Sequence, residues 1–338
     1  MNLKKINPFY YTKHTKRFVI KKLKERINRW MVSANKSAEY LSSPEICADK
    51  FCSRKLYPIY SNCVQLYSDT EYNKSEYAVI VQGQIIEEEN FTIETLKIYR
   101  NLFGSEVEII FSTWVGIKEE IKEYLKKFNI YVIESIIPEK SHHNIGCQIV
   151  STVAGLKQAK KLGCKYAIKT RSDQRIYSAD VLEVCRNLQK IFPLKFCNNC
   201  SLKERLIICS RNTYKYRVYG ISDFFMFGIL DDLFLYWNID WKKYQKVKCP
   251  WNEYFKYFCP ETFICSQFLK KIEYTVNNDL NDTLRVYKNF FIVIDRQLLE
   301  LFWFKYSNAI DSRFEKFEKN MLEEFKFKDW INVQFRNL

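Results

Sequence analysis

The sequence predicts an α/β fold: a doubly wound, mostly parallel sheet with helices on both faces, preceded by a basic helical segment and followed by a helical one. Two observations carry this. Between residues 77 and 169, four short apolar runs alternate with three helical patterns, the order that builds a parallel sheet through crossover helices. Polar residues gather directly after each run, so they fall along one edge of the sheet, where open α/β sheets bind ligands. The predicted organisation is a basic segment and connection over 1–75, the sheet domain over 76–290, and a C-terminal strand and helical extension over 291–338.

Within the basic segment, Ile20, Leu23, Ile27, Trp30 and Met31 fall at helical spacing, with Lys21, Lys22, Lys24, Arg26 and Arg29 on the other face. Such a helix lies on an anionic bilayer surface or packs on the domain with its lysines solvated. Both readings stay open here. The first strand is Tyr77–Val81, ending in Gln82-Gly83-Gln84. Asn90 then caps a helix carrying Ile93, Leu96, Tyr99, Leu102 and Phe103, which Gly104 stops. Val107–Phe111 is the second strand, followed by Ser112, Thr113 and Trp114. Lys118–Phe128 is a helix and Ile130–Glu134 the third strand. Asn144–Leu162 is a helix closed by Gly163, with Ile145, Ile149, Val153 and Leu156 inward. Its polar stripe, Asn144, Gln148, Ser151 and Thr152, starts at the ligand edge.

The fourth strand, Lys165–Lys169, leads into the turn on which the site is expected to centre. Lys169, Arg171 and Arg175 surround one carboxylate, Asp173, with Gln174 beside it. Three cations at a strand end suit an anionic ligand such as a pyrophosphate, and Asp173 could hold a divalent metal through oxygen. A surface turn of mutually paired charges is the plainer reading of such a cluster. Further on, Ala179–Ile191 is a helix, Leu206–Cys209 a strand, and Ile221–Gly228 a strand with Asp223 at its start. Tyr236–Phe258 is aromatic and Lys-rich, suited to facing an acceptor. Cys259-Pro260-Glu261 opens a helix with Ile264, Phe268 and Ile272 inward, where Glu261 gains from the helix dipole whatever else it does. A strand at Phe290–Ile294 precedes a terminal helix with Phe314, Phe317, Met321 and Phe325.

Composition narrows the function. Apolar residues are 47% and aromatics 17% of the 338, with few Gly and Pro, so the chain is globular. The formal charge of +15 favours a polyanionic partner: nucleic acid, an anionic membrane surface or phosphorylated substrates. The basic start leads into no apolar core of signal-peptide length, and no run reaches the 18 or so apolar residues of a membrane span. The twelve cysteines are therefore expected to be mostly free thiols in the cytoplasm. Cys197 and Cys200 would need two more ligands, Cys209 among them, to hold zinc. With only His14, His142 and His143, a Ser–His–Asp hydrolase or a His-rich metal site is not expected. There is no Gly-rich dinucleotide fingerprint and no Walker loop.

The runs Val79-Ile80-Val81-Gln82-Gly83-Gln84, Phe111-Ser112-Thr113-Trp114, Gln148-Ile149-Val150-Ser151-Thr152 with Gly155-Leu156, Lys169-Thr170-Arg171-Ser172-Asp173-Gln174-Arg175, Ser222-Asp223-Phe224-Phe225-Met226-Phe227-Gly228 and Pro260-Glu261 together resemble the WavE family of lipopolysaccharide-synthesis proteins. That family looks like GT-A-type glycosyltransferases. The resemblance implies a nucleotide-sugar donor, a lipid-linked or lipopolysaccharide glycan acceptor, and an Arg-x-Asp turn in the place of the Asp-x-Asp metal motif. Where the family carries a basic residue before Gln148, this chain has Cys147.

The expected site then comprises Gln82, Gly83, Thr113, Asn144, Gln148, Lys169, Arg171, Gln174 and Arg175 around the nucleotide sugar. Asp173, Asp223 and Glu261 are the catalytic candidates. Asp173 alone would hold Mn²⁺ or Mg²⁺ weakly, or Arg171 and Lys169 would neutralise the diphosphate with the metal dispensable. A cytoplasmic enzyme, peripheral on an anionic inner membrane, is expected. The alternatives are a sugar nucleotidyltransferase, whose Gly- and Arg/Lys-rich loop Gln82-Gly83-Gln84 matches poorly, and a basic nucleic-acid-binding protein. No nucleic-acid recognition module is present, so nucleic acid is not the expected partner.

Overall fold

The computed structural model describes residues 75–139, 141–195, 201–244, 259–304 and 323–336. The amphipathic segment around Ile20–Met31, Cys197, Cys200, the aromatic residues 245–258 and Phe314, Phe317 and Met321 lie outside them.

A seven-stranded sheet forms the centre, in the order β3-β2-β1-β4-β7-β6-β8. Its strands are β1 (Tyr77–Gln82), β2 (Val107–Trp114), β3 (Ile130–Ser135), β4 (Tyr166–Arg171), β6 (Leu206–Cys209), β7 (Met226–Ile229) and β8 (Phe291–Ile294). β1, β2, β3 and β4 are mutually parallel, as expected from their alternation with helices. β7 runs antiparallel to both neighbours, β4 and β6, while β6 and β8 pair in parallel. Ala78, Val79, Ile80 and Val81 of β1 have no exposed surface, as a strand covered on both faces requires. A small second sheet pairs β5 (Gln174–Arg175) with β9 (Phe302–Trp303).

Among the described residues the α-helices are α1 (Phe91–Phe103), α2 (Glu119–Lys126), α3 (Ile145–Lys161), α4 (Val181–Ile191), α5 (Leu230–Trp237), α6 (Pro260–Lys271), α7 (Leu280–Phe290) and α8 (Phe327–Gln334). α3 packs on β1, β2 and β3, with Ile145, Ile149 and Leu156 buried in the contact. Gly155 permits this approach: a Cβ there would sit 2.3 Å from Ile80 Cγ2. No helix among the described residues is long and apolar enough to cross a membrane. The six described cysteines, Cys147, Cys164, Cys185, Cys209, Cys259 and Cys265, are free thiols.

Several expectations needed correction. β4 runs through Thr170 and Arg171, because Val81 and Gln82 continue the ladder beside it. The strand expected over Ile221–Gly228 pairs only from Met226. Before it, the Ser222 amide bonds Thr213 Oγ1 and the Phe224 amide bonds Ser222 Oγ. Such local side-chain bonds compete with a strand ladder, and they leave Asp223 on an irregular segment. Asn90 and Asn144 enter α1 and α3 in the left-handed conformation, and neither side chain caps. At α3, Ser141 Oγ accepts from the Gly146 amide at 2.9 Å instead. Phe325 is buried but precedes α8 rather than lying in a helix.

Candidate functional site

The parallel register brings the carboxyl ends of β1, β2 and β4 level. Gln82 stands opposite Ser112 on one side and Arg171 on the other. Gln82 Oε1 accepts from Ser151 Oγ at 2.8 Å, so α3 fixes the amide at the end of β1. Gly83 follows with φ +129°, and a Cβ there would lie 2.5 Å from Ser172 Oγ. Only glycine tolerates both the dihedral and the contact. Ser172 in turn donates to Gln84 O at 2.6 Å, tying the β1 turn to the β4 turn.

Arg171 is the centre of the charged cluster. Its Nε and Nη2 donate to the two oxygens of Asp173, each at 2.9 Å. Nη1 donates to Asp223 Oδ2 at 2.8 Å. The guanidinium carbon lies 5.4 Å from the Phe224 ring centroid and 5.8 Å from that of Trp303, within cation–π range. Burial opposes the charge on Arg171, but Asp223 and Asp173 outweigh it and raise its pKa. Burial likewise pushes the Asp173 carboxyl up, and the Arg171 charge outweighs that too. With its hydrogen bonds and one from Trp303, it holds Asp173 below the usual carboxylate value.

Trp303 was not foreseen. Its Nε1 donates to Asp173 Oδ2 at 3.0 Å, and its ring meets Phe224 edge-on at 4.5 Å. It reaches the turn because β9 pairs with β5, setting Trp303 opposite Gln174. A two-residue strand with no alternation pattern gives sequence reasoning no signal.

Two expected ligand cations turn inward. Lys169 has no exposed surface. Its ammonium bonds the Asp223 carbonyl and lies 4.6 Å from the Trp237 ring centroid. Burial lowers its pKa to about 8. Arg175 is also fully buried, with Nε donating to Thr95 Oγ1 at 2.8 Å and Cζ 4.1 Å from the Phe91 ring centroid. Both charges are taken up by the fold, under α5 and α1, rather than presented at the edge. Gln174 is buried as well, with Oε1 3.4 Å from Thr170 Oγ1.

Glu261 forms a second, separate cluster at the start of α6. Its Oε1 accepts from Asn212 Nδ2 at 2.8 Å, and Arg217 Nη1 lies 3.9 Å from Oε2. The two clusters meet through Thr213, which follows Asn212 and bonds the amide of Ser222 beside Asp223. Asn212 and Arg217 lie in a loop that sequence reasoning passed over. Of the remaining candidates, Thr113 is buried in β2, Gln148 is half-buried on α3 and Asn144 is exposed at its start.

A divalent cation takes several oxygen ligands, and the site does not offer them among the described residues. Both oxygens of Asp173 and one of Asp223 already accept from Arg171, and Trp303 adds a donor to Asp173. The guanidinium lies between the two carboxylates, where a bridging cation would go. Asp173 as a metal ligand therefore does not fit the side chains as they stand.

The family model described as WavE lipopolysaccharide synthesis matches residues 77–337. No curated protein matches. Among solved structures, a cytidylyltransferase from Leptospira borgpetersenii is 13% identical with a TM-score of 0.34, over 78% of this chain and 99% of that one. TarS 1-349 of S. aureus is also 13% identical with a TM-score of 0.34, over 77% and 69%. The glycosyltransferase GlyE of Streptococcus pneumoniae is 11% identical with a TM-score of 0.33, over 78% and 61%. Similarity at this level bears on neither substrate nor mechanism.

Proposed function

The chain belongs to the WavE lipopolysaccharide-synthesis family, and from that premise we propose that it is a nucleotide-sugar-dependent glycosyltransferase. It transfers a sugar to a surface glycan of lipopolysaccharide-core or capsule type. The observation that carries this reading is the Arg171–Asp173–Asp223 cluster, set beside Gln82 at the carboxyl ends of adjacent parallel strands. An anchored guanidinium at such an edge suits a diphosphate leaving group.

In this reading the diphosphate rests against Arg171, with Gln82, Gly83 and Thr113 along the same edge. As the acceptor hydroxyl attacks the anomeric carbon, its proton passes to a carboxylate and the bond to the diphosphate oxygen breaks. The Arg171 charge stabilises the departing diphosphate. In this reading Glu261 is the base: it is held by the Asn212 amide, with Arg217 no nearer than 3.9 Å, and is not locked to a cation as Asp173 and Asp223 are. Asp223, bonded to Arg171 and with 4% of its side chain exposed, positions the cation instead. Further parts of the proposal are a lipid-linked or lipopolysaccharide glycan acceptor and a cytoplasmic location. The basic segment over 1–75 would give peripheral contact with the anionic inner membrane.

A thermal-shift panel of nucleoside diphosphates tests the donor class. A ligand at 100 times its Kd stabilises the native state by about 2.7 kcal/mol, so one base should raise Tm by several degrees at millimolar concentration. A flat response to UDP, GDP, CDP and ADP would overturn the reading.

A further inference from the structure

We propose that Arg171 is a built-in replacement for the divalent cation, so that donor binding is independent of metal. The inference rests on the glycosyltransferase reading and deepens it. It stands on the arrangement of donors and acceptors. A guanidinium carries five N–H groups. Three of them bond Asp173 and Asp223 at 2.8–2.9 Å, which leaves one on Nη1 and one on Nη2.

Those two N–H groups, with the 19% of the side chain that is exposed, match what a phosphate oxygen needs. The cation is fixed from several sides: by the Asp173 fork, by Asp223 and by the rings of Phe224 and Trp303. Asp173 is itself held by the Trp303 indole. A metal ion bridging the same acids would have to displace a charged group that cannot be deprotonated. Lys169 adds a second cation against the Asp223 carbonyl, and that cation also repels a divalent ion.

The arrangement makes a reciprocal prediction. With the guanidinium removed, Asp173 and Asp223 lose the cation that joins them, and the pair should then recruit a divalent cation although Lys169 stays at the Asp223 carbonyl. The experiment uses the full-length protein as wild type, Arg171→Ser and Arg171→Lys, each checked for a cooperative melt. Mn²⁺ binding is titrated by electron paramagnetic resonance, and UDP, GDP, CDP and ADP binding by calorimetry, in EDTA and in Mn²⁺.

The wild type should show no saturable Mn²⁺ site, and its nucleotide Kd should agree within about twofold between EDTA and Mn²⁺. Arg171→Ser should gain a Mn²⁺ site and bind nucleotide at least tenfold more weakly in EDTA, with Mn²⁺ restoring it. Arg171→Lys, which keeps the charge without the fork, should still exclude Mn²⁺, and it decides the question if the serine variant fails to fold. A saturable Mn²⁺ site in the wild type that Asp173→Asn abolishes would overturn the proposal. So would nucleotide binding only with Mn²⁺, or nucleotide affinity in EDTA indifferent to Arg171→Ser. If no diphosphate binds in either condition, the glycosyltransferase reading fails, and the Mn²⁺ titrations alone then support or overturn the exclusion of metal by Arg171.

Discussion

The two acidic clusters hold their carboxylates in opposite ways. Around Arg171, three hydrogen bonds of 2.8–2.9 Å join one guanidinium to two acids. Around Glu261, the firm bond of 2.8 Å comes from a neutral amide, and the nearest arginine nitrogen is 3.9 Å away. A carboxylate locked to a cation holds geometry but is a poor proton acceptor, because its charge is already neutralised. One held by an amide is not tied to a cation by a direct hydrogen bond. In the proposed mechanism this difference is what assigns positioning to Asp223 and proton transfer to Glu261.

Kinetics gives the largest expected effect. General-base catalysis contributes roughly 10²–10⁴-fold, so Glu261→Gln should lower turnover by that order with little change in the donor KM. Asp223→Asn should raise the donor KM with a smaller loss of turnover. Near-normal turnover in Glu261→Gln would move the base elsewhere.

Stability should rank the clusters the other way. Breaking a buried ion pair costs about 3–5 kcal/mol. Arg171 keeps Asp173 as a partner, so Asp223→Asn is expected at the lower end in urea unfolding, against about 1 kcal/mol for Glu261→Gln. A double-mutant cycle sharpens this: coupling of about 2 kcal/mol for Arg171 with Asp223, and under about 0.5 for Arg217 with Glu261. Equal couplings would erase the distinction.

Acid should weaken the first cluster. Burial favours the neutral Asp173 carboxyl, but Arg171 and Trp303 outweigh it and hold its pKa below the ordinary value. The folded state therefore binds fewer protons than the unfolded one near and below about pH 3.9. The contribution is present above that pH and lost as pH falls through the folded value. Asp173→Asn should flatten this part of the stability–pH curve. Trp303→Phe keeps a ring against Phe224 and loses one hydrogen bond, so it should cost about 1 kcal/mol, as little as Glu261→Gln.

The parallel half of the sheet was legible in the sequence because its signals are local. Each of β1 to β4 is a short apolar run, and the runs are separated by helical periodicity that few residues interrupt. The convergence of the carboxyl ends of β1, β2 and β4 followed from strand direction alone. What could not be read was where charged side chains point. Lys169 and Arg175 lie within a few residues of Arg171 in sequence, yet burial under α5 and α1 removes them from the edge, and that depends on Trp237 and Phe91, distant in sequence. Asp223 lost its predicted strand to hydroxyl bonds from Thr213 and Ser222. Trp303 completes the cluster from a two-residue strand that no periodicity marks.

The Trp303–Asp173 bond spans 130 residues, and that span sets an order of events during synthesis. At roughly 5–20 residues per second, about 6–26 s separate the translation of Asp173 from that of Trp303. Once β4 has cleared the exit tunnel, β1 to β4 can pair, while Arg171 and Asp173 still lack the indole of Trp303. A nascent chain stalled before residue 303 should be able to gain protease resistance in the parallel half without acquiring the finished cluster.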